Sequence, residues 1–135
     1  MNPVTGLSLG RIGLGIAALA KPDLVARQIT GGTPASTSLL TQWFGTREVA
    51  LGAATLLTSG SARRTLVLIG MAVDAADATT GYQAVQRKEV PQAAGLPAVA
   101  VAGGAVIAGL LGLRTAKKVV KVSRKVARQQ AKAAA

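Results

Sequence analysis

Residues 93–113 read AAGLPAVAVAGGAVIAGLLGL, twenty-one positions without a polar side chain, and residues 114–135 that follow carry eight Lys/Arg and no Asp or Glu. At about 1.5 Å of rise per residue, the apolar run is long enough to cross a hydrocarbon core of about 30 Å. A basic run directly behind such a segment is the pattern of a cytoplasmic anchor. The pair predicts an integral membrane protein.

Composition points the same way. Half of the 135 residues are hydrophobic, but they are chiefly Ala, Val, Leu and Gly, and the aromatic residues are Trp43, Phe44 and Tyr82. Side chains this small fill a water-soluble core poorly, whereas they allow helices in lipid to approach closely, where packing drives association. The competing reading is a soluble helical bundle, because three of the four apolar segments contain charges. The absence of Cys and His removes thiolate chemistry, disulfides, Cys-based metal centres and the usual general base near neutral pH. The expectation is therefore a protein that is not an enzyme, with no cofactor and no metal.

Four apolar segments can be drawn outward from the last. The first, Val4 to Ala20, contains Arg11 and ends at Lys21-Pro22, where proline interrupts a helix. Ala18-Leu19-Ala20 formally fits a small-x-small cleavage pattern, but the segment is expected to be retained. Leu24, Val25 and Ile29 support a short interfacial helix ahead of the turn signal Gly31-Gly32-Thr33-Pro34. The second segment, Leu39 to Thr58, carries Arg47 and Glu48 at its middle. A short connection through Ser59-Gly60-Ser61 and Arg63-Arg64 joins it to the third, Thr65 to Val85, so these two should form an antiparallel hairpin. Asp74 and Asp77 lie inside the third segment. The fourth is Ala93 to Leu113, or Pro97 to Leu113 if the proline opens the helix.

The fold expected is all-α: a four-helix transmembrane bundle with a basic amphipathic C-terminal helix, divided into a four-span membrane domain at 1–113 and a basic cytoplasmic tail at 114–135. Counting charges outside the spans sets the orientation. Arg63, Arg64 and the eight tail residues lie on one side, against Lys21, Arg27, Arg87 and Lys88 on the other. That asymmetry puts both termini in the cytoplasm of a multi-pass inner (plasma) membrane protein.

Arg11, Arg47, Glu48, Asp74 and Asp77 all fall near the middle of their segments and so share a depth. A lone charge there costs roughly 2.5–3.5 kcal/mol on insertion scales, so the five should pair. Asp74 and Asp77, three apart, share a helix face, and Arg47 on the neighbouring helix is the natural partner for it. Arg11 and Glu48 would then form a second pair. Two positive charges meet three negative ones, and the surplus carboxylate of a dry Asp74/Asp77 site is a candidate for carrying a proton. The plainer alternative is a structural layer that holds small-residue helices in register.

In the tail, Arg114, Lys117, Lys118, Lys121, Arg124, Lys125, Arg128 and Lys132 recur at helical spacing beside Leu113, Ala116, Val119, Val120, Val126 and Ala127. This stripe suits anionic lipid headgroups, at about 1 kcal/mol per basic residue near the surface, or an acidic partner. Nucleic acid is disfavoured, because no aromatic residue interleaves the charges for base stacking. Ala105-xxx-Gly109 and Ala108-xxx-Gly112 would let the fourth helix pack closely. An echo between Arg11-Ile-Gly-Leu-Gly-Ile and Arg47-Glu-Val-Ala-Leu-Gly is explained by low complexity.

At Gly10-Arg11 with Lys21-Pro22, at Trp43-Phe44-Gly45-Thr46-Arg47-Glu48-Val49-Ala50-Leu51-Gly52, and at Val73-Asp74-Ala75-Ala76-Asp77-Ala78, the chain resembles an uncharacterised family of small actinobacterial four-helix membrane proteins. The resemblance covers about residues 7 to 113 and not the tail. It implies a four-helix membrane fold, supplies no activity, and falls on the same five charged residues. The function expected is a non-enzymatic structural or accessory subunit of a larger membrane complex or homo-oligomer. The alternative is a small proton- or ion-coupled transporter or channel. A third, a membrane-disrupting holin-like protein, fits a packed charge layer less well.

Overall fold

The computed structural model describes residues 2–30 and 35–133, all of them in helices or short connections, with no strand among them. The helices are α1 (Pro3–Ala20), α2 (Pro22–Thr30), α3 (Ala35–Leu57), α4 (Gly60–Gln86) and α5 (Gln92–Ala133). The turn expected at Gly31 to Pro34 lies outside the described residues.

Local chemistry sets most of these boundaries. Asn2 caps α1, its Oδ1 accepting from the Val4 N–H at 3.0 Å, with Pro3 in the first turn, where its missing N–H costs nothing. Pro22 opens α2 in the same way. Between α3 and α4 only Thr58 and Ser59 are non-helical, and Gly60 takes a left-handed φ of 61°. The Arg63 Nε donates to the Thr55 carbonyl at 2.9 Å, satisfying one of the carbonyls that the end of α3 leaves open. Arg63 and Arg64 thus belong to the first turn of α4 rather than to a loop.

Of the two starts expected for the last helix, the structure takes the earlier: α5 begins at Gln92, one residue before Ala93, and Pro97 lies inside it. The change from apolar to basic sequence at Arg114 leaves no mark on the backbone, and α5 continues unbroken to Ala133. Nothing in residues 114–133 stops a helix: Gly and Pro are missing, and Ala, Lys, Arg and Gln favour helix. At 42 residues, α5 is about 63 Å long, roughly twice a hydrocarbon core.

Helix pairing follows glycine. The principal pairs are α1 with α3 and α4 with α5, while the consecutive helices α3 and α4 touch little. The hairpin of the second and third segments is therefore not the main packing unit. In the first pair, Gly15 faces Gly45 and Gly52 faces Ser8, so α1 and α3 run antiparallel. A Cβ on Gly15 would stand 2.6 Å from the Gly45 carbonyl oxygen and 2.9 Å from the Val49 nitrogen. These are backbone atoms, so the two helices meet main chain to main chain. In the second pair, Gly109 packs on Met71 and Val67, and Gly95 on Val85. Gly112 ties the pairs together by seating Val4 of α1.

Polarity is inverted relative to a water-soluble domain. The buried side chains include Ser8, Arg11, Thr41, Glu48, Thr55 and Asp74, and among the described residues the largest buried hydrophobic one is a valine. Leu9, Ile16, Leu40, Trp43, Ile69, Val101, Ile107 and Leu111 are exposed. By length and composition, α1 and the 92–115 part of α5 qualify as membrane spans, and little of the latter is buried. Helices α3 and α4 do not qualify among the described residues; both carry the charges that lower their hydropathy.

Candidate functional site: a chain of five charges

Arg11, Arg47, Glu48, Asp74 and Asp77 come together from three helices. The order of contacts is Asp74–Arg11–Glu48–Arg47–Asp77, alternating in sign. Arg11 is the inner hub: its Nη1 donates to Glu48 Oε2 at 2.5 Å and its Nη2 donates to Asp74 Oδ2. Glu48 bridges to the second guanidinium, accepting from Arg47 Nε at 3.3 Å. Arg47 then holds Asp77 with two bonds, Nη2 to Oδ2 at 2.5 Å and Nη1 to Oδ1 at 3.4 Å. This forked geometry fixes orientation as well as distance.

The pairing differs from the sequence expectation in one respect. Arg47 was expected to face both aspartates, whereas Asp74 goes to Arg11. Three residues along a helix turn the side chain by about 300°, a net divergence of roughly 60°. That divergence aims Asp74 at α1 and Asp77 at α3. Glu48, next in sequence to Arg47, is about 100° further round α3 and so meets α1.

Each position is made possible by a small neighbour. Gly70 lies against Arg11, where an added Cβ would stand 3.1 Å from Nη2. Gly52 seats the Arg11 Cβ and Ile12 on α3. The Arg47 guanidinium also stacks on Phe44, with its carbon 5.0 Å from the ring centroid, a favourable cation–π distance. Sequence reasoning found the five charges but not Gly15, Gly45, Gly52 or Gly70. In a chain with 16 glycines, nothing local separates those at a contact from the rest.

The two ends of the chain differ in cover. The side chains of Arg11, Glu48 and Asp74 are 8%, 5% and 7% exposed, against 36% and 37% for Arg47 and Asp77. A narrow crevice lined by Ser8, Arg11, Thr55, Val67 and Gly70 approaches the buried end. Ser8 and Thr55 hydroxyls donate to the carbonyls of Val4 and Leu51 at 2.9 and 2.7 Å, so neither costs an unpaired donor in a dry interior. Every buried side-chain nitrogen and oxygen among the described residues has a partner.

Of the tail residues, Arg114, Lys125, Arg128 and Lys132 are exposed on α5. Lys117, Lys118, Lys121 and Arg124 lie within the same helix, and their side chains fall outside the described residues. The tail makes no part of the charge chain among the described side chains.

No family model, curated protein or solved structure matches this chain.

Proposed function

We propose that this is a four-span integral membrane protein of the inner (plasma) membrane, with both termini cytoplasmic, acting as a non-enzymatic structural or accessory subunit of a membrane assembly. The observation that carries the reading is the inverted polarity: ions inside, leucine, isoleucine and tryptophan outside. In water this arrangement exposes apolar surface and buries charge, both unfavourable. In lipid the same arrangement is the low-energy one, since intramembrane charges face the bundle interior and pair. Charges compensated within the chain let α3 and α4 span despite their low hydropathy. Their lengths of 23 and 27 residues, about 35 and 40 Å, are sufficient. The resemblance to small four-helix membrane proteins agrees with this reading.

The same topology gives the tail its role. With the basic half of α5 on the cytoplasmic side, Arg114, Lys117, Lys118, Lys121, Arg124, Lys125, Arg128 and Lys132 meet anionic headgroups or an acidic partner. The role of accessory subunit is tested by native mass spectrometry of the protein extracted in mild detergent. A defined larger complex or homo-oligomer supports it, and a strictly monomeric species contradicts it.

A second reading, proton or cation movement, rests on the surplus negative charge and on the crevice that reaches Arg11 from the α1 N-terminal end. Reconstituted liposomes with an internal pH dye separate the two. Proton flux that is lost in Asp74→Asn or Asp77→Asn supports transport, and no flux above empty liposomes supports the structural role.

A further inference from the structure

Arg11 has donors to spare at the wall of the crevice that runs between α1, α3 and α4. Its side-chain hydrogen bonds go from Nη1 to Glu48 and from Nη2 to Asp74. A guanidinium carries five N–H donors, so Nε–H and one N–H on each terminal nitrogen have no acceptor among the described residues. Every buried side-chain nitrogen and oxygen among those residues has a partner, so Nε, which has none, is not sealed. That side of the guanidinium faces Gly70, where an added Cβ would stand 3.1 Å from Nη2 and 3.8 Å from Nε. Glycine at this position leaves the space in front of Arg11 open.

The same crevice offers acceptors. Ser8 and Thr55 donate their hydroxyl protons to the carbonyls of Val4 and Leu51. A hydroxyl oxygen that donates once can still accept, and both oxygens belong to side chains that line the crevice with Arg11 and Gly70. Free donors on α1 and free acceptors on α1 and α3 therefore border one space. That space has about 10 Å³ for the centre of a water-sized sphere, which is room for one water, and a buried water makes about three hydrogen bonds. One bond accepted from Arg11 and one donated to each hydroxyl oxygen reach that number. A guanidinium at the wall disfavours a metal cation in the same place.

We propose that this crevice is a binding site for one water molecule, which accepts from Arg11, donates to the Ser8 and Thr55 oxygens, and so completes the hydrogen bonding of the hub. Three helices set the side from which it is reached. Val4 and Ser8 lie in the first two turns of α1, Thr55 in the last turn of α3, and Leu66 and Gly70 in the first half of α4. All belong to the end of the bundle that holds the connection between α3 and α4. That end is cytoplasmic on the four-span reading, on which this part of the inference rests. The buried end of the charge chain is then hydrated from the cytoplasm.

The test is hydroxyl-radical footprinting of the full protein in liposomes by brief X-ray pulses, read by mass spectrometry. Radicals made from a bound water oxidise the side chains beside it. Leu51 and Val67 therefore report the crevice, and the exposed Ile107 reports the lipid-facing surface. Oxidation of Leu51 and Val67 should exceed that of Ile107, although both are the more enclosed. Thr55→Val keeps the shape, removes an acceptor and should lose this oxidation, whereas Thr55→Ser keeps the hydroxyl and should retain it. Gly70→Ala fills the space in front of Arg11 and should lose it as well. Leu51 and Val67 oxidised no more than Ile107 would overturn the proposal, and so would oxidation that survives in Thr55→Val. Oxidation that falls on adding sodium or potassium ions would also overturn it, by making the occupant a cation. Hydration is read inside the bundle whichever way the crevice faces, and labelling of Ser61→Cys reports the side. Failure of the water site and failure of the topology are thus distinct results.

Discussion

The buried and the half-open ends of the charge chain use the same chemistry under different conditions. At the inner end, Arg11 satisfies two carboxylates from two other helices, and all three groups are almost fully enclosed. At the outer end, Arg47 and Asp77 form a forked pair with bonds of 2.5 and 3.4 Å, and more than a third of each side chain is open. Asp74 and Asp77 are three residues apart on one helix, yet only the first is locked between elements. The inner end joins α1, α3 and α4, two of which scarcely touch through the backbone. The outer end joins only α3 and α4. The inner triad is therefore the fastener of the bundle, and the outer pair is the part free to meet something else.

The largest effect expected is at the hub. Arg11→Ala leaves Glu48 and Asp74 enclosed without a shared cation, and losing one member of a buried pair costs about 3–5 kcal/mol. Thermal unfolding in detergent should show a large loss of stability or no folded protein, and near-wild-type stability would remove the inner triad as the fastener. A smaller loss is expected where α1 crosses α3. Gly15→Ala places a methyl against backbone atoms of Gly45 and Val49, and overpacking of this kind costs about 1–3 kcal/mol.

Why the first of these sites was legible in the sequence and the second was not has a physical answer. Charged residues in apolar segments stand out one at a time, so Arg11, Arg47, Glu48, Asp74 and Asp77 could be picked individually. Two of their pairings, Arg11–Glu48 and Arg47–Asp77, are legible as well; that of Asp74 with Arg11 is not, because the roughly 60° divergence between Asp74 and Asp77 matters only once the positions of α1 and α3 are known. Glycine contacts are collective: Gly15 and Gly10 look alike in sequence, yet one faces Gly45 and the other meets nothing within 4 Å. The all-helical fold and the short helix after Pro22 followed from periodicity and proline. That the apolar span and the basic tail form one continuous helix is legible only in the structure, because a change in polarity at Arg114 carries no information on whether the backbone breaks there.

At the outer end the expected effects are smaller. Asp77→Asn keeps hydrogen-bond capacity toward Arg47 and alters a group already open to its surroundings. Its stability in detergent should fall by about 1 kcal/mol or less, against a clearly larger loss for Asp74→Asn measured by the same unfolding curve. Equal losses would erase the distinction between the two ends. Smallest of all is the effect of the tail on folding. Deleting residues 119–135 removes the far part of α5 and should leave thermal stability unchanged, while binding to anionic liposomes weakens and loses its salt dependence.

The comparison holds only if the bundle sits in lipid with the inner triad at mid-depth, and single-cysteine accessibility in intact cells measures that most directly. The native chain has no Cys, so Asp23→Cys, Ser61→Cys, Lys88→Cys and Lys132→Cys each carry one reporter. Cysteines at 23 and 88 should react with an impermeant maleimide added outside, and those at 61 and 132 should react only after the membrane is permeabilised. Labelling of 61 and 88 from the same side would contradict the four-span account, because α4 would not cross the membrane and Asp74 and Asp77 would lie outside it.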